Sequence, residues 1–376
     1  MTPLEVLITN NTLAGYAGSE LYARDVALNL KRRGHKPIAY SRVLGRVADD
    51  IRAAGIPVVG DLRELSAAPD VIHGQHNLET LAALLHFPGT PGIFCCHGYV
   101  PWQEHPPVFP RLLRYVAVDN VCLERLHENG IPPDRARVIY NFVDLQRFQP
   151  RTPLPPRPRR ALVFSNYARE DNYLPVLRQA CRRAGIELDV AGSEAGCPCY
   201  KPETLLPQYD LVFAKARAAI EALAVGCAVI TCDASGLGTM VATGNLDQLR
   251  PLNFGFRTLN QALELALVSG EIARYDARDA EEVSRRVRAC ASMEEAVDQL
   301  LDLYAEAIQE HQQMAPAREA EEKAIAAYLM WLSTLVKEIE SRSVAPPPRR
   351  RRGRLRLFFS LRSRGGAALP AERKLA

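Results

Sequence analysis

Residues 209–233 read YDLVFAKARAAIEALAVGCAVITCD, and this stretch decides the fold. Leu211, Val212 and Phe213 form a short apolar run. Ala216 to Val225 is built of strong helix formers, and Gly226 is the residue type at which such a helix stops. Ala228 to Thr231 is a second apolar run rich in β-branched residues, so the unit is a βαβ crossover in a parallel sheet. One residue stands apart. Glu221 lies in a helix of mostly Ala and Leu, near the carboxyl end of a strand, where open α/β sheets bind ligands. Burying a lone carboxylate is costly unless something hydrogen-bonds to it. A sugar's hydroxyl pair would serve, and so would water or a pairing with Lys215 or Arg217 just before it.

The 376 residues are enough for two domains with separate cores, and the apolar and charged fractions are those of a globular protein. No apolar run reaches eighteen residues, and MTPLEVLITNNT enters a strand with neither a basic n-region nor an apolar h-region. The expected location is therefore cytoplasmic. Nine cysteines, an odd number scattered through apparent strands and helices, suit a reducing compartment. Cys197-Pro-Cys199 lacks further ligands at metal-site spacing and reads as a structural turn, so no metal is expected. The net charge is +4, yet residues 349–364 alone hold eight arginines and no acid, which leaves −4 for the remainder. A mildly acidic body gives no case for nucleic-acid binding.

Strand signals at 4–9, 36–41, 57–60, 70–74, 92–96, 115–118 and 137–140 alternate with helical stretches, the pattern of a doubly wound sheet. After the first strand a small-residue loop runs to Gly18 and into a helix from Ser19 to Arg33. This arrangement leaves backbone N–H groups and the positive helix end facing a bound anion. Residues 150–160, PRTPLPPRPRR, have no periodicity and read as a semi-extended linker. A second domain follows, then a long helix.

EALAVGCAVIT (221–231) resembles the helix and strand of the retaining glycosyltransferases of family 4, two-domain enzymes of the GT-B fold. AGYAGSELYARDVALNLKRRGH (14–35) is similar to that family's opening loop and first helix, with Ala17 in place of the first glycine of a pair and Gly18 in place of the second. PDVIHGQHN (69–77) and CCHGYVPW (95–102) resemble its histidine-bearing strand ends, and residues 115–148, ending NFVDLQRF, resemble its exit from the first domain. The resemblance implies an α/β, GT-B-like protein, with two doubly wound, Rossmann-like domains facing a cleft. These are an acceptor domain (1–149), the linker (150–160), a nucleotide-sugar donor domain (161–310), a C-terminal helix (311–345) and a disordered arginine-rich tail (346–376). It also implies Glu221 on the donor ribose, Arg169 near the diphosphate, Gly15, Gly18 and Ser19 at the acceptor or phosphate loop, and His97 near the transferring sugar. Gly236, in the small-residue loop ASGLGTMV (234–241), would offer backbone amides to the donor, and Asn141 and Asp144 would lie at the cleft.

One departure is plain. The family pairs two glutamates, and counting back from Glu221 puts Phe213 in the first position; the loop is basic instead, with Lys215 and Arg217. Those cations suit a diphosphate leaving group without a metal ion. The expected function is transfer of a sugar from a nucleotide-diphosphate donor, with no cofactor, to a glycan, lipid-linked or small-molecule acceptor, with retention. A degenerate GT-B module that binds or assembles, and a nucleotide-sugar epimerase, stay open as alternatives. Arginines interleaved with Leu355, Leu357, Phe358, Phe359 and Leu361 also suit an anionic membrane surface, a peripheral contact at the inner face.

Overall fold

The computed structural model describes residues 2–315 and 318–344. The first lobe alternates β1 (Glu5–Thr9), α1 (Gly18–Arg32), β2 (Lys36–Tyr40), α2 (Arg46–Ala53), β3 (Val58–Val59), β4 (Val71–Gln75), α3 (Asn77–His86), β5 (Gly92–Cys96), β6 (Leu112–Ala117), α4 (Asn120–Glu128) and β7 (Ala136–Val138). Its seven strands are all parallel, in the order β3-β2-β1-β4-β5-β6-β7. The order reverses at β1, so the loops after β1 and β4 diverge and open a crevice at the strands' carboxyl ends.

The second lobe contains β8 (Arg160–Phe164), α5 (Leu174–Arg183), β9 (Glu187–Ala191), α6 (Pro202–Leu205), β10 (Leu211–Ala214), α7 (Ala216–Val225), β11 (Ala228–Asp233), β12 (Gly236–Met240), α8 (Leu246–Leu249), α9 (Leu265–Ala273) and α10 (Ala277–Cys290), and its sheet runs β12-β11-β10-β8-β9. Both faces of β10 are covered. Val212 and Ala214 pack in one apolar cluster with residues of α7 and α10, whereas Leu211 and Phe213 pack in the other with residues of α5 and α9. That is why the strand reads as a continuous apolar run. Gly226 ends α7 at φ +99°, a left-handed conformation that glycine adopts without strain.

Two expectations are corrected, and the linker proves to be tied down. The stretch around Gly236 is not a loop but β12, an antiparallel edge strand paired with β11. Its glycines are required by crowding, since a Cβ at Gly236 would lie 2.8 Å from the Leu259 carbonyl oxygen and one at Gly238 would lie 2.0 Å from Thr231 Oγ1. The linker does not stand free. Arg151 N–H donates to the Val225 carbonyl at 2.8 Å, its guanidinium pairs with Asp210 at 3.0 Å, and Tyr275 donates to the Pro155 carbonyl at 2.9 Å. Finally, α11 (Met293–Gln313) falls largely in the range assigned to the second domain yet packs on β4, β5, β6 and α1 of the first. Tyr304 meets His73 at 2.6 Å, and Arg114 pairs with Glu306 and Glu310 at 2.8 and 2.5 Å. The chain therefore crosses between lobes a second time, where Ala291 and Met293 hydrogen-bond to Val143.

The C-terminal helix, α12, runs Arg318–Val344, and residues 311–313 close α11 instead. The arginine-rich stretch 349–364 lies outside the described residues. Among the described residues no helix is long and apolar enough to cross a membrane.

Candidate functional site

A cleft opens between the lobes where α1 and α7 point their first turns at each other. Gly18, Leu21 and Arg147 line it from the first lobe; Asn166, Cys199 and Glu221 line it from the second. The start of α1 is left uncapped by any side chain, and nothing lies within 4 Å of where a Cβ on Gly18 or Gly15 would be. Free N–H groups at a helix start with open space before them form an anion-accepting surface. Ser19 does not cap this helix. Ala17 holds that position, and the Ser19 hydroxyl donates to the Glu20 carboxylate at 3.0 Å.

Glu221 is 3 % exposed and accepts a hydrogen bond from Arg217 Nε at 2.8 Å, one turn earlier on α7. The other side of the Arg217 guanidinium pairs with Asp25 of α1, which Arg24 also grips at 2.8 Å. The two helices are thus joined across the cleft by a buried Asp–Arg–Glu chain. Burial raises the Glu221 carboxyl above its usual range, with Arg217 acting the other way. Burial also opposes the charge on Asp25, but Arg217, Arg24 and Arg147 together hold its carboxyl below its usual range. Arg217 is accordingly a residue of α7 paired on both sides, and not an unpaired loop cation.

Lys215 precedes α7, pairs with Asp233 at the end of β11, and sits 5.4 Å from the centre of the Tyr167 ring. Ala216, next to it, has φ +49°, a conformation that costs a non-glycine residue and that clusters at functional sites. Phe213 is fully buried in the core, so no side chain from the first-glutamate position reaches the cleft. Arg169 is on an exposed turn, engaged by Asp171 at 2.8 Å and Glu194 at 3.3 Å. It does not line the cleft.

The first-lobe face carries a second polar cluster. His76, at φ +62° before α3, contacts Glu104 at 3.3 Å, and the His97 N–H donates to the same carboxylate at 2.8 Å. Burial opposes the charge on Glu104, but His76 and the His97 contacts hold its carboxyl below the usual range. Glu20, 6 % exposed, goes the other way, its carboxyl raised chiefly by burial. His97 is half-buried, with its ring edge-to-face on Tyr22 at 4.6 Å and its Nε2 sealed from solvent without a partner. Burial pushes it down to about 4, so it is neutral at pH 7. Its ring packs against Tyr22 of the aromatic core. Asn141 and Asp144 are turn formers. The Asn141 carbonyl accepts from Arg250 and the Asp144 carboxylate accepts the Gln146 and Arg147 N–H groups.

Sequence reasoning missed Glu20, Asp25 and Arg147. Both carboxylates sit in the quoted first-helix stretch, and a helix whose buried face holds Glu20, Arg24 and Asp25 is unusual enough to have marked them. Among the described residues no three His, Cys, Asp or Glu side chains are grouped to hold a metal ion.

Residues 16–147, most of the first lobe, match the model of Glycosyltransferase Family 4. No curated protein matches the chain. Among solved structures, the chain is similar to a glycosyltransferase from Rickettsia africae, with TM-score 0.54, 16% identity, 82% of this chain and 99% of that one covered. It is similar to HepE of Anabaena in complex with UDP-glucose, with TM-score 0.54, 16% identity, and 81% and 100% covered. It is also similar to sucrose-phosphate synthase from Thermosynechococcus elongatus, with TM-score 0.56, 12% identity, and 82% and 100% covered. The two lobes, their mainly parallel sheets and the cleft between them are the GT-B fold.

Proposed function

We propose that the protein is a glycosyltransferase, resembling family 4, that moves a sugar from a nucleotide-diphosphate donor to a hydroxyl of a glycan or lipid-linked acceptor. The observation that carries this is Glu221, a buried carboxylate in the middle of α7, the helix after β10, lining the inter-lobe cleft. A carboxylate there is suited to a pair of ribose hydroxyls, whose donors would replace Arg217 Nε. The released guanidinium and Lys215 then meet the diphosphate, which supports a reaction without a metal ion. Arg169 joins them only by leaving Asp171 and Glu194. HepE, a neighbour in fold, binds UDP-glucose, which makes a uridine donor the first to try.

The reading as a binding module rests on one observation: Lys215, Arg217 and Glu221 already satisfy one another and their neighbours. Titration calorimetry with UDP, GDP, ADP and dTDP and their sugars separates the two. Binding that weakens in Glu221→Gln supports the transferase, and no binding to any of them supports the module. Retention is the course the family resemblance implies. We also propose a cytoplasmic protein held at the inner membrane face by the eight arginines of residues 349–364. Co-sedimentation with anionic vesicles, lost in a 1–345 truncation, tests this.

A further inference from the structure

We propose that Asp25 is an internal stand-in for the donor's diphosphate: it holds the cations of the cleft while no nucleotide is there, and so sets how strongly a phosphate must bind to win them. This rests on the glycosyltransferase reading and adds to it a residue that governs phosphate affinity from behind the site. The charged side chains that line the cleft are Arg147, Arg217 and Glu221. Both cations are drawn to one carboxylate. Arg217 Nη2 donates to Asp25 Oδ2, and Arg147 Nη1 lies 3.9 Å from Asp25 Oδ1. Arg24 grips that same Oδ1 through Nε at 3.0 Å and Nη2 at 2.8 Å.

Asp25 is 3 % exposed and is not among the residues that line the cleft. It sits behind the two arginines. Three guanidiniums thus converge on it from separate parts of the chain: Arg24 from α1, Arg147 from the exit of the first lobe and Arg217 from the first turn of α7. Like charges gather in this way only around an anion, and in the nucleotide-free protein that anion is Asp25. Each arginine has one further acid, at 3.6 Å for Arg24 and Asp50, 3.1 Å for Arg147 and Glu203, and 2.8 Å for Arg217 and Glu221. Among the described residues Arg217 Nη1 and Arg147 Nη2 have no acceptor, which leaves each cation a donor for a ligand.

The buried carboxylate acts on such a ligand in two ways. It cancels part of the charge on Arg147 and Arg217, and its own charge repels an incoming phosphate across a region that water screens poorly. A nucleoside without phosphates makes no demand on the arginines. Asp25 therefore weakens recognition of the diphosphate and leaves recognition of the base and ribose alone. A purely structural Asp25 would have the opposite signature, since arginines loosened by its removal would hold phosphate less well.

The test is calorimetry of the full chain with UDP, inorganic pyrophosphate and uridine. In Asp25→Asn, UDP and pyrophosphate should bind tighter by on the order of tenfold, the gain shrinking as salt is raised, while uridine affinity stays unchanged. Asp25→Asn leaves buried cations short of a partner, so Arg24→Met/Asp25→Asn, which removes one buried pair whole, is measured beside it and should gain in the same direction. Unchanged or weaker binding of UDP and pyrophosphate by the folded variants overturns the proposal. So does a gain for uridine as large as that for UDP, because the substitution would then have opened the cleft and not freed its cations. If neither wild type nor variants bind UDP or pyrophosphate, the glycosyltransferase reading falls and this one with it. If wild type binds UDP and the variants gain nothing, only this one falls.

Discussion

The two faces of the cleft treat charge in opposite ways. On the second lobe, Lys215, Arg217, Glu221 and Asp233 are matched ion to ion, and the network extends to Asp25 across the gap. On the first lobe, Glu20 is held by a hydroxyl, while His73 and His97 are kept neutral by burial. A paired face can turn its cations toward an incoming polyanion, at the cost of leaving their carboxylates less well matched. The first-lobe face is mixed, since His76 and Glu104 are matched there as well; Glu20 and the neutral His97 are the polar groups it leaves for an uncharged hydroxyl. On the glycosyltransferase reading, the difference supports placing the donor on the second lobe and the acceptor on the first.

The sharpest way to break the comparison is Arg217→Met. It leaves Asp25 and Glu221 buried without their shared cation, and breaking a buried pair in this way costs about 3–5 kcal/mol. In a unit of this size that lowers Tm by on the order of 10 °C. A loss near zero in a thermal scan would mean that the chain is solvated and not a joint between lobes. Adding Asp25→Asn and Glu221→Gln to Arg217→Met should recover much of the loss, because the orphaned charges go with their partner.

The first-lobe face is tested by acid. His73 is pushed down to about 3 and His97 to about 4, both below the 6.5 of an unfolded histidine, so protons favour the unfolded chain. Their contribution is complete above about pH 6.5 and is lost as pH falls towards those values, at about 1.4 kcal/mol per unit each. The raised carboxyls Glu20 and Glu221 work the opposite way, gaining protons in the folded state as pH falls. The informative quantity is therefore a difference. Between pH 7 and pH 5, urea unfolding of wild type should lose about 2 kcal/mol more than that of His97→Gln. Equal losses would mean that His97 titrates freely.

The same contrast explains what the sequence made legible. The helix over 216–225 and the strand over 92–96 match the structure residue for residue, because apolar periodicity and a stop at Gly226 are local signals. Local signals also misled at β12, where small residues read as a loop. The glycines are there because Thr231 and Leu259 leave no room for a side chain, a crowding invisible to composition. The Asp25–Arg217 pair joins residues 192 positions apart, so no pattern within one helix announces it. Glu221 was found because a carboxylate is conspicuous in an Ala/Leu helix. Lys215 and Arg217 were noticed as cations, but their partners were not, and the partners decide what the cations do.

On the donor face, Glu221→Gln removes the charge and keeps the shape. If the carboxylate receives two ribose hydroxyls, affinity for UDP should fall roughly 10- to 100-fold, the value of hydrogen bonds to a charged group. Unchanged affinity would place the nucleotide elsewhere and leave the Asp–Arg–Glu chain with a purely structural role.

The smallest effect expected is at Arg169. A guanidinium is the residue type best shaped to grip a diphosphate, and the family resemblance puts Arg169 beside Lys215 as a phosphate ligand. Arg169, however, is on an exposed turn with its Nε and Nη1 turned to Asp171 and Glu194. To reach a phosphate it would have to give up both carboxylates, and exposed pairs of this kind are worth little in water. Lys215 by contrast is fixed at the start of α7 with Asp233 behind it. Arg169→Ala should therefore shift UDP affinity less than about twofold, while Lys215→Met, which removes a charge-assisted donor at the start of α7, should weaken it about tenfold. Calorimetry on the two variants at one salt concentration decides the order. A larger loss at Arg169 would mean that the turn swings inward when the nucleotide arrives, and that the second lobe is less completely paired in its bound form than in this one.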